Sequence, residues 1–215
     1  MVNPNDFIIT RKRKLYKFAL FSNSPLCFEY DSWQAESRID VLEVGAGTGL
    51  FSAALASGQP DLEYVAIDVK ADRLQKGALF AAANALNNIR FLRIRVDQLN
   101  EKIQQHSIKK IWVTFPDPFP RERSAKRRLT HPQFLAVYKN LLGSSGELYF
   151  KTDARMLFLW SLEQMVAEGW TFKELSFDLH ASNLHEGYKV KTTYETRYLA
   201  EGKPIYFVKA VPPAL

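Results

Sequence analysis

From residue 39 onward, short apolar runs alternate along the chain with longer stretches of helix-forming residues. The apolar runs predict strands at residues 39–44, 62–67, 89–96, 111–115 and 146–152, and two final strands at 170–179 and 204–209 around a long polar connection. The other stretches predict helices at residues 49–57, 71–86, 132–142 and 154–168. This alternation predicts an α/β fold with a doubly wound, mostly parallel sheet, and the trailing strand pair predicts an antiparallel edge strand.

The first 38 residues differ from the rest because their apolar positions follow no clean period. A basic cluster at residues 11–14 is followed by mixed aromatic and apolar residues up to Trp33. We interpret residues 1–38 as a basic N-terminal arm partly wrapped on the domain, with the first ten residues as a mobile tail. Residues 39–215 show no repeat, low-complexity tract or linker, and therefore predict a single domain.

The composition limits the class of protein. The 215 residues are 47% hydrophobic, which excludes wholesale disorder, and the formal net charge of +6 favours nucleic acid or an anionic surface as partner. Cys27 is the only cysteine, so no internal disulfide is possible and a reducing compartment is expected. We find neither a signal peptide nor the roughly 20 apolar residues of a membrane span, and so expect a cytoplasmic protein with no membrane partner.

A glycine-rich turn at residues 43–49 follows the first strand of the predicted domain and reads Glu-Val-Gly-Ala-Gly-Thr-Gly. Glycines such as Gly45 and Gly47 let the chain turn sharply and let a ligand lie against the backbone. The G-x-G-x-G spacing is one residue tighter than the dinucleotide fingerprint, and Glu43 places an acid before the turn. Both features disfavour a bound diphosphate, and hence a dehydrogenase. They suit a ligand with a positive centre, such as S-adenosylmethionine.

Two acids at strand ends extend this cofactor hypothesis. Asp68 ends the second predicted strand, where an acid is placed to accept hydrogen bonds from both hydroxyls of an adenosine ribose. Asp97 follows the third predicted strand, where it could lie against the adenine. Aspartate also favours ordinary turns, and for Asp97 the turn role and the cofactor role remain equally open.

A proline-stiffened loop follows the fourth strand and reads Phe-Pro-Asp-Pro-Phe-Pro over residues 115–120. Proline fixes its own φ and pushes the preceding residue away from helix, so this loop holds Asp117 in few conformations. Five cations follow within eight residues: Arg121, Arg123, Lys126, Arg127 and Arg128. Taken separately, Asp117 could be an ordinary turn residue and the cations an ordinary solvent-exposed face. Together they indicate that Asp117 meets a group attached to phosphates.

With these motifs in place, the chain resembles the bacterial tRNA (guanine-N7)-methyltransferases over most of its length. The resemblance is carried by the glycine turn, the proline loop with Lys-Arg-Arg-Leu at 126–129, Phe-Lys-Thr-Asp at 150–153, and Thr-Thr-Tyr-Glu-Thr-Arg at 192–197. It implies a Rossmann-like class I methyltransferase sheet, S-adenosyl-L-methionine as cofactor, and tRNA as partner with the target guanosine in the variable loop. Whether the chain is a monomer or a homodimer stays open.

The resemblance also implies roles for individual residues. Asp117 is expected at the reaction centre as the catalytic residue. The expected cofactor pocket comprises Glu43, Gly45, Gly47, Asp68, Asp97 and Asp117. The expected substrate contacts are Arg121, Asp153, Thr192, Thr193, Tyr194 and Glu195. The family usually has a lysine at position 121 and a histidine at position 124, so the contact made by Arg121 is open, and Ser124 argues that the chemistry needs no histidine in this loop.

Methylation of guanine N7 needs no general base, because N7 already carries an exposed lone pair. Positive charge moves from sulfur to the guanine ring, which predicts catalysis by alignment and electrostatics. We hypothesise that Asp117 accepts hydrogen bonds from the N1 and N2 edge of the guanine, a role that Asp153 or Glu195 could equally fill. Phe119 and Tyr194 are the candidates for stacking on an extruded base.

Two other functions stay open from the sequence. An exocyclic-amine RNA methyltransferase would use a similar acid-proline-aromatic loop, although the residue order at 117–120 differs from that pattern. A non-catalytic tRNA-binding protein that kept the fold is the second alternative. No metal site is expected, because the four histidines lack the spacing of metal ligands: His106, His131, His180 and His185.

Overall fold

The computed structural model describes residues 12–34, 38–142 and 145–214. The predicted mobile tail and Arg11 of the basic cluster lie outside these residues. Within the described ranges, the helices are α1 (Lys12–Ser22), α2 (Leu50–Gly58), α3 (Ala71–Ala83), α4 (Leu99–Lys102), α5 (Pro132–Leu142), α6 (Arg155–Ala167) and α7 (Thr193–Ala200). The strands are β1 (Cys27–Glu29), β2 (Val41–Val44), β3 (Tyr64–Asp68), β4 (Ile89–Arg93), β5 (Lys110–Thr114), β6 (Glu147–Thr152), β7 (Thr171–Ser176) and β8 (Tyr206–Val211).

These eight strands form one sheet in the order β1-β4-β3-β2-β5-β6-β8-β7. Neighbouring strands are parallel from β1 to β6, so that Val44 of β2 lies between Ile67 of β3 and Val113 of β5. β8 runs antiparallel between β6 and β7. The predicted α/β fold, with its mostly parallel sheet and an antiparallel strand at one side, is therefore confirmed.

The strand order reverses at β2, because β3 and β4 extend to one side of it while β5 and β6 extend to the other. In doubly wound sheets, such a reversal leaves a crevice at the carboxyl ends of the strands where ligands bind. All four residues of β2 are buried, including Glu43. A strand covered on both faces is expected to be apolar, which makes this carboxylate unusual.

One layer of helices covers each face of the sheet. Successive strand residues point to opposite faces, so each strand contributes to both cores. In β3, Tyr64 and Ala66 join the core formed with α1, α2 and α3. Val65 and Ile67 join the core formed with α4, α5 and α6. The sheet is thus packed against helices on both of its faces.

The segment before residue 39 contributes two elements that the sequence did not predict. α1 packs against α3, and β1 pairs with β4 through Cys27 and Phe91. β1 has only three residues, too few for a period to be visible. None of the described helices is long and apolar enough to cross a membrane.

The predicted elements differ from the structure in several places, and two of these differences bear on the site. The third predicted strand ends at Arg93 rather than residue 96, because Val96–Gln98 turns into a 3-10 helix. The polar connection after β7 contains α7, which begins with a capping box. Thr192 Oγ1 accepts the N–H of Glu195 at 3.0 Å, and Glu195 Oε2 accepts the N–H of Thr192 at 3.1 Å. The Thr-x-x-Glu spacing was the available sequence signal for this helix.

Candidate active site

A cavity of about 410 Å³ opens at the carboxyl ends of the strands, where the strand order reverses. It brings together eight of the predicted site residues: Glu43, Gly45, Gly47, Asp68, Asp117, Asp153, Thr192 and Tyr194. Asp97, Arg121 and Glu195 are not among the residues that line it. The side chain of Thr193 lies outside the description.

The glycine turn forms the floor of this cavity. Gly45, Gly47 and Gly49 all adopt positive φ, at 68°, 56° and 69°. A Cβ at Gly49 would lie 2.6 Å from the ring of Phe91, whereas a Cβ at Gly47 would meet nothing within 4 Å. Gly49 is therefore required for packing, and Gly47 leaves the open space that a ligand against the backbone needs.

Asp68 holds the glycine turn from the end of β3. Its Oδ2 accepts the N–H of Gly47 at 2.8 Å, and its Oδ1 accepts the N–H of Lys70 at 2.9 Å. Burial raises the pKa of Asp68, while these two N–H groups act in the opposite direction. A carboxylate has about four lone-pair positions, so Asp68 keeps acceptor capacity for a pair of hydroxyls in the cavity.

Glu43 is an acid buried behind the glycine turn, with only 1% of its surface exposed. Ser52 Oγ donates to its Oε2 at 2.6 Å and Thr114 Oγ1 donates to its Oε1 at 2.8 Å. Burial raises the pKa of Glu43 to about 7, although both hydroxyls and the charge of Lys151 oppose the rise. A cation bound in the cavity would favour the ionised form of this carboxyl group.

The proline loop is held in a strained conformation on both sides of Asp117. Phe115 and Phe119 have φ of 46° and 40°, in the left-handed region that bulky residues rarely adopt. The N–H of Phe115 donates to the carbonyl oxygen of Lys151 at 2.9 Å, which ties the start of the loop to β6. Asp117 is exposed at the cavity between these two residues. Strain of this kind is found where a functional group must be held in place.

The basic segment after the proline loop divides into exposed and buried cations. Arg121, Arg123, Lys126 and Arg127 are exposed. Arg128 is only 5% exposed, and its guanidinium carbon lies 4.4 Å from the ring centroid of Trp160. The sequence grouped all five cations as candidates for phosphate contact, and this was wrong for Arg128, whose guanidinium faces the protein interior.

One side of the cavity is formed by Thr192, Tyr194 and Tyr198, which we call the α7 wall. Tyr194 is 47% exposed where it lines the cavity. Asp153 adjoins this wall from the end of β6, and burial raises its pKa. A capping role for Asp153 is excluded, because Ala154 is the N-cap of α6 and no side chain caps it.

Behind the α7 wall lies a buried ion pair that sequence reasoning missed. Lys151 Nζ is 2.7 Å from Glu195 Oε2, and both side chains are fully buried. His180 Nε2 lies 2.8 Å from Glu195 Oε1. Burial lowers the pKa of Lys151, and the charge of Glu195 opposes this. The available signal was a lysine within the otherwise apolar run of β6, where a partner of opposite charge is expected.

Asp97 lies beside the cavity without lining it. It belongs to the 3-10 helix after β4, and its carboxylate pairs with Arg95, the closest contact being 2.5 Å. Its neighbour Val96 does line the cavity. Among the described residues there is no cluster of three or more histidine, cysteine or acidic side chains that could hold a metal ion.

Comparison with known proteins shows which sequences this chain resembles. A family model described as "Putative methyltransferase" matches residues 37–208. The chain is 39% identical over 172 residues to the tRNA (guanine-N(7)-)-methyltransferase of Cytophaga hutchinsonii, covering 79% of this chain and 78% of that protein. It is 35% identical over 199 residues to the protein of the same name from Brevibacillus brevis, covering 91% and 92%.

Solved structures share the fold. The 16S rRNA methyltransferase KamB is similar with a TM-score of 0.61 and 15% identity, covering 91% of this chain and 92% of that chain. A SAM dependent methyltransferase from Aquifex aeolicus is similar with a TM-score of 0.57 and 14% identity, covering 81% and 82%. At these identities the similarity establishes the fold alone.

Proposed function

The chain belongs to the tRNA (guanine-N7)-methyltransferase family, and we propose that it transfers the methyl group of S-adenosyl-L-methionine to N7 of a guanosine in tRNA. The observation that carries this proposal is the position of Asp117, which the strained proline loop holds at the cavity that the glycine turn also lines. We further propose that the guanosine lies in the variable loop, as the resemblance of the motifs implies.

The residues at the glycine turn fit the cofactor. When bound, S-adenosyl-L-methionine supplies an electrophilic methyl group on a sulfonium. Gly47 leaves room for the cofactor against the backbone, and Asp68 has acceptor capacity for the ribose hydroxyls. Glu43 provides negative charge behind the turn, which favours a cationic ligand. A contact of Asp97 with the adenine stays a prediction, since Val96 rather than Asp97 lines the cavity.

The opposite side of the cavity fits the guanosine. Asp117 and Asp153 are acceptors at the cavity for the donors of the N1 and N2 edge. Tyr194 and Phe119 offer aromatic faces on which an extruded base can stack. Arg121 and the other exposed cations of this loop suit the phosphates of the tRNA. Glu195 is buried behind the α7 wall, so we assign it to holding the wall rather than to contact with the base.

These residues act by alignment and electrostatics rather than by proton transfer. The N7 lone pair is available without deprotonation, so Asp117 need not act as a base. Its carboxylate, on a backbone segment held between two strained residues, favours the positive charge that develops on the guanine ring. The two sides of the cavity would bring the cofactor and the guanosine together, and such alignment is a large part of catalysis for a bimolecular transfer.

The test is incubation with unmodified bulk tRNA and methyl-labelled cofactor, followed by nucleoside mapping. We expect the label in N7-methylguanosine, which also makes the tRNA cleavable after borohydride or alkali treatment. Label on an exocyclic amine would show the alternative methyltransferase. Cofactor binding without any transfer would show a binding protein that keeps the fold, and either result would overturn the proposal.

A further inference from the structure

We propose that Lys151 is a positioning residue for this methyl transfer, because its buried ammonium fixes the α7 wall relative to Asp117. The inference rests on the proposed function. Lys151 is fully buried and does not line the cavity, so it acts through other residues and not on the substrate.

Three acceptors surround the ammonium group. Lys151 Nζ donates to Glu195 Oε2 at 2.7 Å, to the carbonyl oxygen of Val190 at 2.7 Å and to that of Tyr188 at 3.3 Å. An ammonium has three N–H groups, so each has a protein acceptor. The hydrogen-bonding capacity of the ammonium group is therefore satisfied by protein acceptors, without water.

These acceptors lie on both sides of the residue that begins the α7 wall. Tyr188 and Val190 precede Thr192 in the chain, and Glu195 follows it. The same Glu195 carboxylate accepts the N–H of Thr192 at 3.1 Å. The ammonium group thus holds both the segment that precedes the α7 wall and the first turn of α7.

The backbone of Lys151 holds the other side of the site. Its carbonyl oxygen accepts the N–H of Phe115, the first residue of the loop that carries Asp117. Two residues further along the chain, Asp153 lines the cavity. Lys151 therefore connects the loop that carries Asp117 to the α7 wall on the opposite side of the cavity. This connection sets the distance between the loop and the wall.

The test compares Lys151→Met with Lys209→Met, which removes a lysine from the neighbouring strand β8. Lys209 pairs with Glu147 at 2.8 Å and does not line the cavity. For Lys151→Met we expect kcat/KM for tRNA to fall about a hundredfold, the size of loss that misalignment by about 1 Å can cause. The Kd for the cofactor, measured well above pH 7 so that Glu43 is ionised, should stay near the wild-type value. Lys209→Met should keep the kcat/KM of the wild type.

A double variant keeps the test valid if Lys151→Met folds poorly, since that change takes the ammonium partner away from the buried Glu195 carboxylate. Adding Glu195→Gln removes this charge and keeps an acceptor for Thr192. We expect the double variant to regain melting temperature while its kcat/KM stays as low as that of Lys151→Met, because both changes break one interaction.

The outcomes separate this inference from the proposed function. A wild-type reaction that yields no N7-methylguanosine overturns the proposed function. An active wild type together with an unimpaired Lys151→Met variant overturns the positioning role alone. The positioning role is also overturned if kcat/KM merely follows the melting temperature. This would be seen if the double variant regained both its melting temperature and its kcat/KM, or if Lys209→Met lost as much of both as Lys151→Met.

Discussion

Arg128 donates two hydrogen bonds to the carbonyl oxygen of Phe119, from Nε at 3.3 Å and from Nη2 at 3.1 Å. Phe119 is the strained residue on the far side of Asp117, with φ of 40°. A bulky residue holds this conformation only where its surroundings enforce it. Arg128 therefore stabilises the proline loop that carries Asp117, although the sequence places it in a run of cations expected to meet phosphate.

Replacing Arg128 by methionine should lower both stability and turnover. The lost hydrogen bonds come from a buried charged group, and we expect unfolding to become easier by about 1.5–3 kcal/mol. The salt dependence of tRNA binding should stay unchanged, because no phosphate contact is lost. Thermal melting, kcat and binding at several salt concentrations measure the three effects.

Arg123→Met is the matched control, since Arg123 is exposed in the same segment. Its loss should leave the melting temperature unchanged and reduce the slope of log affinity against log salt by about 1. If Arg128→Met instead changed the slope and left the stability unchanged, Arg128 would not stabilise the proline loop in the way that we infer.

Asp117→Asn should reduce kcat strongly and leave the Kd for the cofactor nearly unchanged. The amide keeps the size of the side chain but removes the fixed negative charge, and loss of one electrostatic stabiliser typically costs about 10²–10³ in turnover. Single-turnover methylation and a binding titration measure the two quantities. Glu122→Gln, an exposed acid in the same segment, should behave like the wild type. Unchanged turnover in Asp117→Asn would remove Asp117 from the mechanism.

The sequence predicted those parts of the molecule that depend on local pattern. The sheet and the glycine turn follow from apolar runs and from glycines at strand ends, which act over a few residues. The resemblance implied that Asp68 and Asp117 lie at one cavity. The structure has both there, because the carboxyl ends of parallel strands meet at one edge of the sheet.

The parts that were missed depend on contacts between residues far apart in the chain. Lys151 and Glu195 are 44 residues apart, and nothing local identifies them as partners. Arg127 and Arg128 are adjacent and chemically alike, yet only Arg128 is buried, because Trp160 of α6 and the carbonyl oxygen of Phe119 lie on its side. Tertiary packing decides such cases, and a sequence period does not record it.

Gly47→Ala should weaken cofactor binding more than it weakens the fold. The added methyl group meets no protein atom within 4 Å, so its cost to stability is the positive φ alone, about 1–2 kcal/mol. It projects into space that the cofactor would need, and the Kd should rise at least tenfold. Gly49→Ala should instead mainly unfold the protein, because its methyl group would lie 2.6 Å from the ring of Phe91. Melting curves and cofactor titrations of both variants check this contrast, and a Gly47→Ala variant with wild-type affinity would contradict it.

The raised pKa of Glu43 predicts a pH dependence of stability. Its folded-state pKa of about 7 lies above the ordinary value of 4.5, so the folded protein binds more protons than the unfolded chain between these values. Stability from this group is therefore fully present below about pH 4.5 and is lost as pH rises towards 7, by an amount on the order of 3 kcal/mol. Glu43→Gln should remove this component, which denaturant unfolding at several pH values measures.

The same carboxyl group predicts that cofactor binding releases a proton. A cationic ligand favours the ionised form of Glu43 and lowers its pKa in the complex, so affinity should rise with pH up to about 7 and then level off. Calorimetry below pH 7 in two buffers of different ionisation enthalpy measures the released proton directly. In Glu43→Gln the release should disappear and this part of the affinity profile should become flat. A wild-type protein that binds the cofactor below pH 7 without releasing a proton would show that the cofactor's positive charge does not act on Glu43.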